Sequence, residues 1–102
     1  MKAQLKKKWM AALRSGKYQQ GKGHLKKDGK FCCLGVLRDI VNPNDRRGQD
    51  GSLNAKQREE YGLNEELEEV LVSMNDGMNR YVDNQQNFKQ IAAYIAEKIK
   101  AE

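Results

Sequence analysis

The sequence predicts an α+β domain that is predominantly helical, with four to five short helices and a small β-hairpin near residues 23–32. Three observations carry this expectation. Apolar residues recur at helical spacing in several separate windows. Asn and Gly stand where those windows begin and end. One Asp-Gly pair sits between two short arms. With 102 residues and 38% hydrophobic content, the chain fits one compact domain, 1–102. At this size a domain buries about 60–65% of the surface that its unfolded chain exposes, so the core is small.

Leu5, Trp9, Ala12 and Leu13 lie between lysines at helical spacing, and Ser15-Gly16 supplies a stop, so residues 2–15 read as an amphipathic helix. In "GKGHLKKDGKFC" the Asp28-Gly29 pair suits the positive φ angles of a type I′ turn. That turn sets a register in which Lys27 faces Lys30, Lys26 faces Phe31, Leu25 faces Cys32 and His24 faces Cys33. From Cys33 the spacing becomes helical through Leu37, Ile40 and Val41, and Asn42-Pro43 closes the run near 41. The loop 42–52, "NPNDRRGQDGS", reads as an exposed connection.

Beyond the loop, Asn54 with Gln57 three residues later forms a capping signature for a short helix that ends at Tyr61-Gly62. Asn64 opens the next, with Leu67, Val70, Leu71 and Met74 as its buried stripe and "NDG" at 75–77 as its end. Asn87 caps the last, whose face is Phe88, Ile91, Ala92, Ile95 and Ile99. The core is expected to include Trp9, Leu13, Phe31, Leu34, Leu37, Leu71, Phe88, Ile91 and Ile95.

Charge divides the chain. Residues 1–51, the basic half, carry thirteen Lys and Arg against four Asp, a net of +9; residues 52–102, the acidic half, carry six against ten acids, a net of −4. Such a split draws phosphates or acidic surfaces to one side and limits how a long polyanion lies across the molecule. Arg14, Lys17, Lys22, Lys26, Lys27 and Lys30 form the expected anion or partner site, with Tyr18 and His24 as stacking candidates. The competing reading of a lysine run is a solvated face. "NEELEEVL" reads as such a face, with Glu65, Glu66, Glu68 and Glu69 at the solvated start of a helix.

The adjacent Cys32 and Cys33 invite three chemistries. Vicinal cysteines seldom bridge, and a tetrahedral metal site finds only these two thiols and His24. A thiol nucleophile requires a base in reach, which the hairpin register offers as His24 opposite Cys33. Against this, the pair is embedded among Phe31, Leu34, Val36 and Leu37, where a thiol serves as a small apolar side chain. Packing is the expected role, beside Gly35. "GKYQQGKG", 16–23, has the first seven positions of a phosphate-binding P-loop but places Gly23 where Ser or Thr belongs. No cofactor, metal site or disulfide is predicted. The apolar run Trp9–Leu13 is short for an export signal, and Phe31–Leu37, at seven residues, is far short of the roughly 20 that span a membrane. A soluble cytoplasmic protein with reduced thiols is expected.

Trp9, "ALRSGKYQQGKGHL" and "KFCCLGVLRDI", followed later by "YGL", "MNDG" and "NFKQIAAYI", resemble a family of small proteins encoded by phages and bacterial prophages. The likeness spans residues 9–41 and 61–95, with Cys-Cys-Leu-Gly-Val-Leu as its specific part. Relatives often carry Cys where this chain has Arg38, which argues against a shared three-thiol metal site. The resemblance implies a phage setting in the host cytoplasm and attaches no activity. The leading expectation is a non-enzymatic binding or regulatory protein whose basic half engages a nucleic acid, a nucleotide or an acidic host protein. A thiol-dependent enzyme using Cys33 or Cys32 with His24, and a structural or assembly accessory, are the alternatives.

Overall fold

The computed structural model describes residues 1–77 and 85–101. Arg80, Asp83 and Glu102, which enter the charge of the acidic half, lie outside them. The chain runs α1 (Ala3–Arg14), β1 (Gln19–Gln20), β2 (Lys26–Lys27), β3 (Lys30–Phe31), α2 (Cys33–Val41), α3 (Ala55–Tyr61), α4 (Glu65–Asp76) and α5 (Phe88–Lys98). The described residues thus form five helices and a three-stranded sheet, the predominantly helical α+β class that the sequence predicts. None of these helices is long and apolar enough to cross a membrane.

The helix boundaries follow their local signals. Asn54 and Gln57, and again Asn87 and Gln90, form reciprocal capping boxes at α3 and α5, while Asn64 accepts the Leu67 N–H at the start of α4. Gly62 and Gly77 close α3 and α4 in the left-handed conformation, at φ 77° and 74°. Helix α4 therefore runs through Asn75 and Asp76 before it stops.

The core forms where α1 crosses α5 and α2, and α2 meets α4. Trp9 is fully buried there, and its indole N–H donates to the Cys33 carbonyl at 2.9 Å. Of the expected core residues, Phe31 alone is only partly buried. It packs against the edge of the core, edge-on to Tyr18, with a centroid separation of 4.9 Å.

Asp28 and Gly29 take positive φ, and the register is the expected one, Lys26 opposite Phe31 and Lys27 opposite Lys30. The arms stop sooner than predicted. Cys32 still donates to the Leu25 carbonyl at 3.3 Å, but the Leu25 N–H turns away to the Asp50 carbonyl at 2.6 Å. Cys33 has by then entered α2, so the pairing of His24 with Cys33 does not form. A third strand, β1, joins β3 in parallel, with Gln20 opposite Phe31.

Two acids depart from the expected solvated positions. Asp45, in the loop, is 8% exposed and gathers the Tyr61 hydroxyl at 3.1 Å, the Gln57 amide and the Arg47 guanidinium at 2.9 Å. Arg47 reaches on to Glu60 at 2.8 Å, so the loop is tied to α3. Glu68 is 5% exposed and accepts the Leu53 N–H at 2.8 Å and Arg58 at 2.9 Å. Its place one turn before Leu71 sets it on the inner edge of α4, where a carboxylate is tolerated because both partners meet it.

The Arg47 hydrogen bonds hold the Asp45 carboxyl far below its usual 3.8. The native state therefore resists protonation that the unfolded chain accepts. Asp45 contributes stability above the unfolded value, and that contribution disappears as pH falls through about 4 and below. Asp45→Asn is expected to lower stability at neutral pH and flatten its decline between about pH 5 and 2, measured by urea denaturation across that range. An unchanged acid limb would show that Asp45 does not anchor the loop.

Candidate functional site

The segment 20–25 crosses the molecule as an irregular strand, and its backbone is tethered at three points. Gly21 donates to the Phe31 carbonyl at 2.8 Å, Gly23 to the Asp76 carboxylate at 3.1 Å and Leu25 to the Asp50 carbonyl. Behind it stands Asn75, fully buried. The Asn75 side-chain oxygen accepts from the Gln20 amide at 3.0 Å and the Cys33 N–H at 3.2 Å. Its amide donates to the Gly21 carbonyl at 2.8 Å and to Asp76 at 2.9 Å.

In front of this segment lies an open cup of about 380 Å³, lined by Gly21, Lys22, His24, Lys27, Asp28 and Lys30. Gly21 makes room for it. A Cβ there would lie 2.9 Å from the Lys30 Cβ, so a larger residue would push against the stem of the lysine that forms one wall. Lys27 and Lys30 stand opposite each other across the turn, an arrangement of like charges that disfavours the hairpin. Among the described residues, neither they nor Lys22 form an ion pair.

The structure divides the six expected basic residues. Lys22, Lys27 and Lys30 come together with His24 at the cup. Lys26 projects from the other face of the hairpin, its ammonium 5.3 Å from the centroid of the Phe31 ring. Arg14, the last residue of α1, and Lys17 just after it are exposed and do not line the cup. Tyr18 also lies outside it, packed against Phe31 and donating to Asp39 at 2.7 Å; burial and that carboxylate push its hydroxyl up to about 12. Gly21, Asn75 and Asp76 are the contributors that sequence reasoning missed. Their roles depend on partners far along the chain, and no local pattern marks them.

The cysteines lie away from the cup's lining. Cys32 is the N-cap of α2, its sulfur accepting the Gly35 N–H at 3.3 Å, and Cys33 directs its thiol to the Leu71 carbonyl at 3.6 Å. Both are free and buried. Neither forms a hydrogen bond with His24 among the described residues. Burial pushes the Cys32 thiol up to about 11, against the lowering effect of the Gly35 N–H, and raises Cys33 well above its ordinary value. Gly35 fits the packing role: a Cβ there would collide with the Leu25 carbonyl, so the bare helix surface lets α2 seat against the hairpin arm. No three of His, Cys, Asp and Glu converge as metal ligands among the described residues.

Since only the thiolate reacts rapidly, the native protein is expected to modify slowly with a disulfide reagent at neutral pH, and both thiols to label together on denaturation. Rapid labelling of one cysteine in the folded state would overturn this placement.

Comparison with curated proteins and with solved structures finds no match to the chain. A family does match, described as Domain of unknown function (DUF8296), over residues 1–73. That segment holds all six residues lining the cup, whereas Asn75 and Asp76 follow it. The chain belongs to this uncharacterised family.

Proposed function

We propose that the protein is a small non-enzymatic binding protein that holds an anionic partner in the cup formed by Lys22, His24, Lys27 and Lys30. One observation carries the reading: three lysines and a histidine line one open cavity, with Asp28 as the lone acid among the described residues of its lining. The backbone beneath is held by the Phe31 carbonyl, Asn75 and Asp76, so the groups are positioned before a ligand arrives. Repulsion between Lys27 and Lys30 gains folding nothing and is relieved when an anion sits between them. The phage setting in a host cytoplasm, implied by the Phe-Cys-Cys-Leu-Gly-Val-Leu resemblance, belongs to the same reading. Thiol catalysis is less favoured, because both sulfurs are buried without a base in contact. No observation favours a self-assembling accessory role.

The test is paired substitution, Lys27→Gln with Lys30→Gln, read on immobilised heparin as a general polyanion. The double variant is expected to elute at clearly lower salt than the parent, while its thermal midpoint in anion-free buffer stays the same or rises as the cross-strand repulsion disappears. Identical elution of parent and variant would leave the hairpin lysines as a solvated edge and contradict the proposal.

A further inference from the structure

Resting on the cup as an anion site, we infer that its ligand is a compact, multiply charged phosphate, a pyrophosphate group either free or carried on a small ester, and not a nucleic-acid strand. The cavity of about 380 Å³ lies at the small end of the roughly 300–1,000 Å³ range of small-molecule sites. Its charges are set for a short, dense anion. Lys27 and Lys30 face each other across a two-residue turn, and Lys22 comes from the separate segment held by Asn75 and Asp76. The lining thus brings three ammonium groups together from two backbone segments. Each ammonium is a point charge with rotatable donors, suited to oxygens spread over tetrahedral phosphorus, and among the described residues no guanidinium lines the cup to offer the planar pair of donors that a carboxylate accepts.

The surroundings disfavour a longer polyanion. Asp28 is itself part of the lining, and Asp76 holds Gly23 on the adjoining segment, so a strand continuing out of the cup brings further phosphates towards carboxylates. Strand binding also draws on aromatic rings against which successive bases stack. Two rings of the described hairpin region are committed elsewhere: Tyr18 meets Phe31 edge-on, and Lys26 covers Phe31 on the face of the hairpin away from Lys27 and Lys30. Among the described residues, His24 is the single ring in the cup.

Isothermal titration of the full chain with sodium pyrophosphate, with ADP and with a mixed-sequence single-stranded oligodeoxynucleotide separates the possibilities. Pyrophosphate and ADP are expected to bind in mutual competition, the tighter of the two indicating whether the free or the esterified form is the better source. Lys30→Gln is expected to weaken each about tenfold or more, the loss of one charge-assisted hydrogen bond, and Lys26→Gln on the opposite face to leave both unchanged. If the oligodeoxynucleotide binds with dependence on Lys30 and excess pyrophosphate does not displace it, the compact-phosphate inference is wrong and the anion cup stands. If none of the three binds, or binding is indifferent to Lys30→Gln, the inference and the cup reading both fall.

Discussion

One buried carboxamide ties together parts of the chain that lie far apart in sequence. Asn75, at the end of α4, uses its oxygen for the Gln20 side chain and the first N–H of α2, and its amide for the Gly21 carbonyl and Asp76. Hydrogen bonds of this kind each contribute only about 0.5–1.5 kcal/mol net, but removing a buried partner costs about 1–3 kcal/mol for each group left unsatisfied. The position of β1, the short parallel pairing with β3 and the floor of the basic cup all depend on it. Asp76, its neighbour, extends the same grip to Gly23.

Acidic residues from both halves serve the fold through backbone and buried polar contacts more than through opposed surface charge. The Asp50 backbone carbonyl takes the N–H of Leu25, the Asp45 carboxylate ties the connecting loop to Tyr61, Gln57 and Arg47, and the Glu68 carboxylate holds Leu53 and Arg58. The Asp45 and Glu68 carboxylates are occupied within the fold. Among the described residues the ammonium groups of Lys22, Lys27 and Lys30 form no ion pair, and that contrast underlies the proposed anion site.

Much of the architecture was legible because its causes are local. The α5 stripe from Phe88 to Ile99, the Asn caps and the Asp28-Gly29 turn each depend on residues within a few positions of one another. Strand β1 was not legible: Gln19-Gln20 has no apolar alternation, and its anchor lies 55 residues away. Burial of Asp45 and Glu68 was hidden for a similar reason, since a carboxylate goes inside only where the fold supplies cations and donors. The candidate site was half legible. The lysines were visible as a group, yet the alternation of a strand already separates Lys26 from Lys27, and pooling them overlooked that period of two. Burial of the sulfur pair was legible, because apolar neighbours and Gly35 stand beside it in the sequence.

The central claim is that Asn75 holds the 20–23 segment in place and thereby shapes the cup. Amide hydrogen exchange, followed residue by residue in the parent and in Asn75→Ala, tests it most directly. The Gly21 and Cys33 amides should be protected in the parent and lose protection in the variant relative to Ile95 in α5, whose exchange reports opening of the whole fold. Retention of the parent's protection at Gly21 and Cys33, scaled to Ile95, would contradict the account.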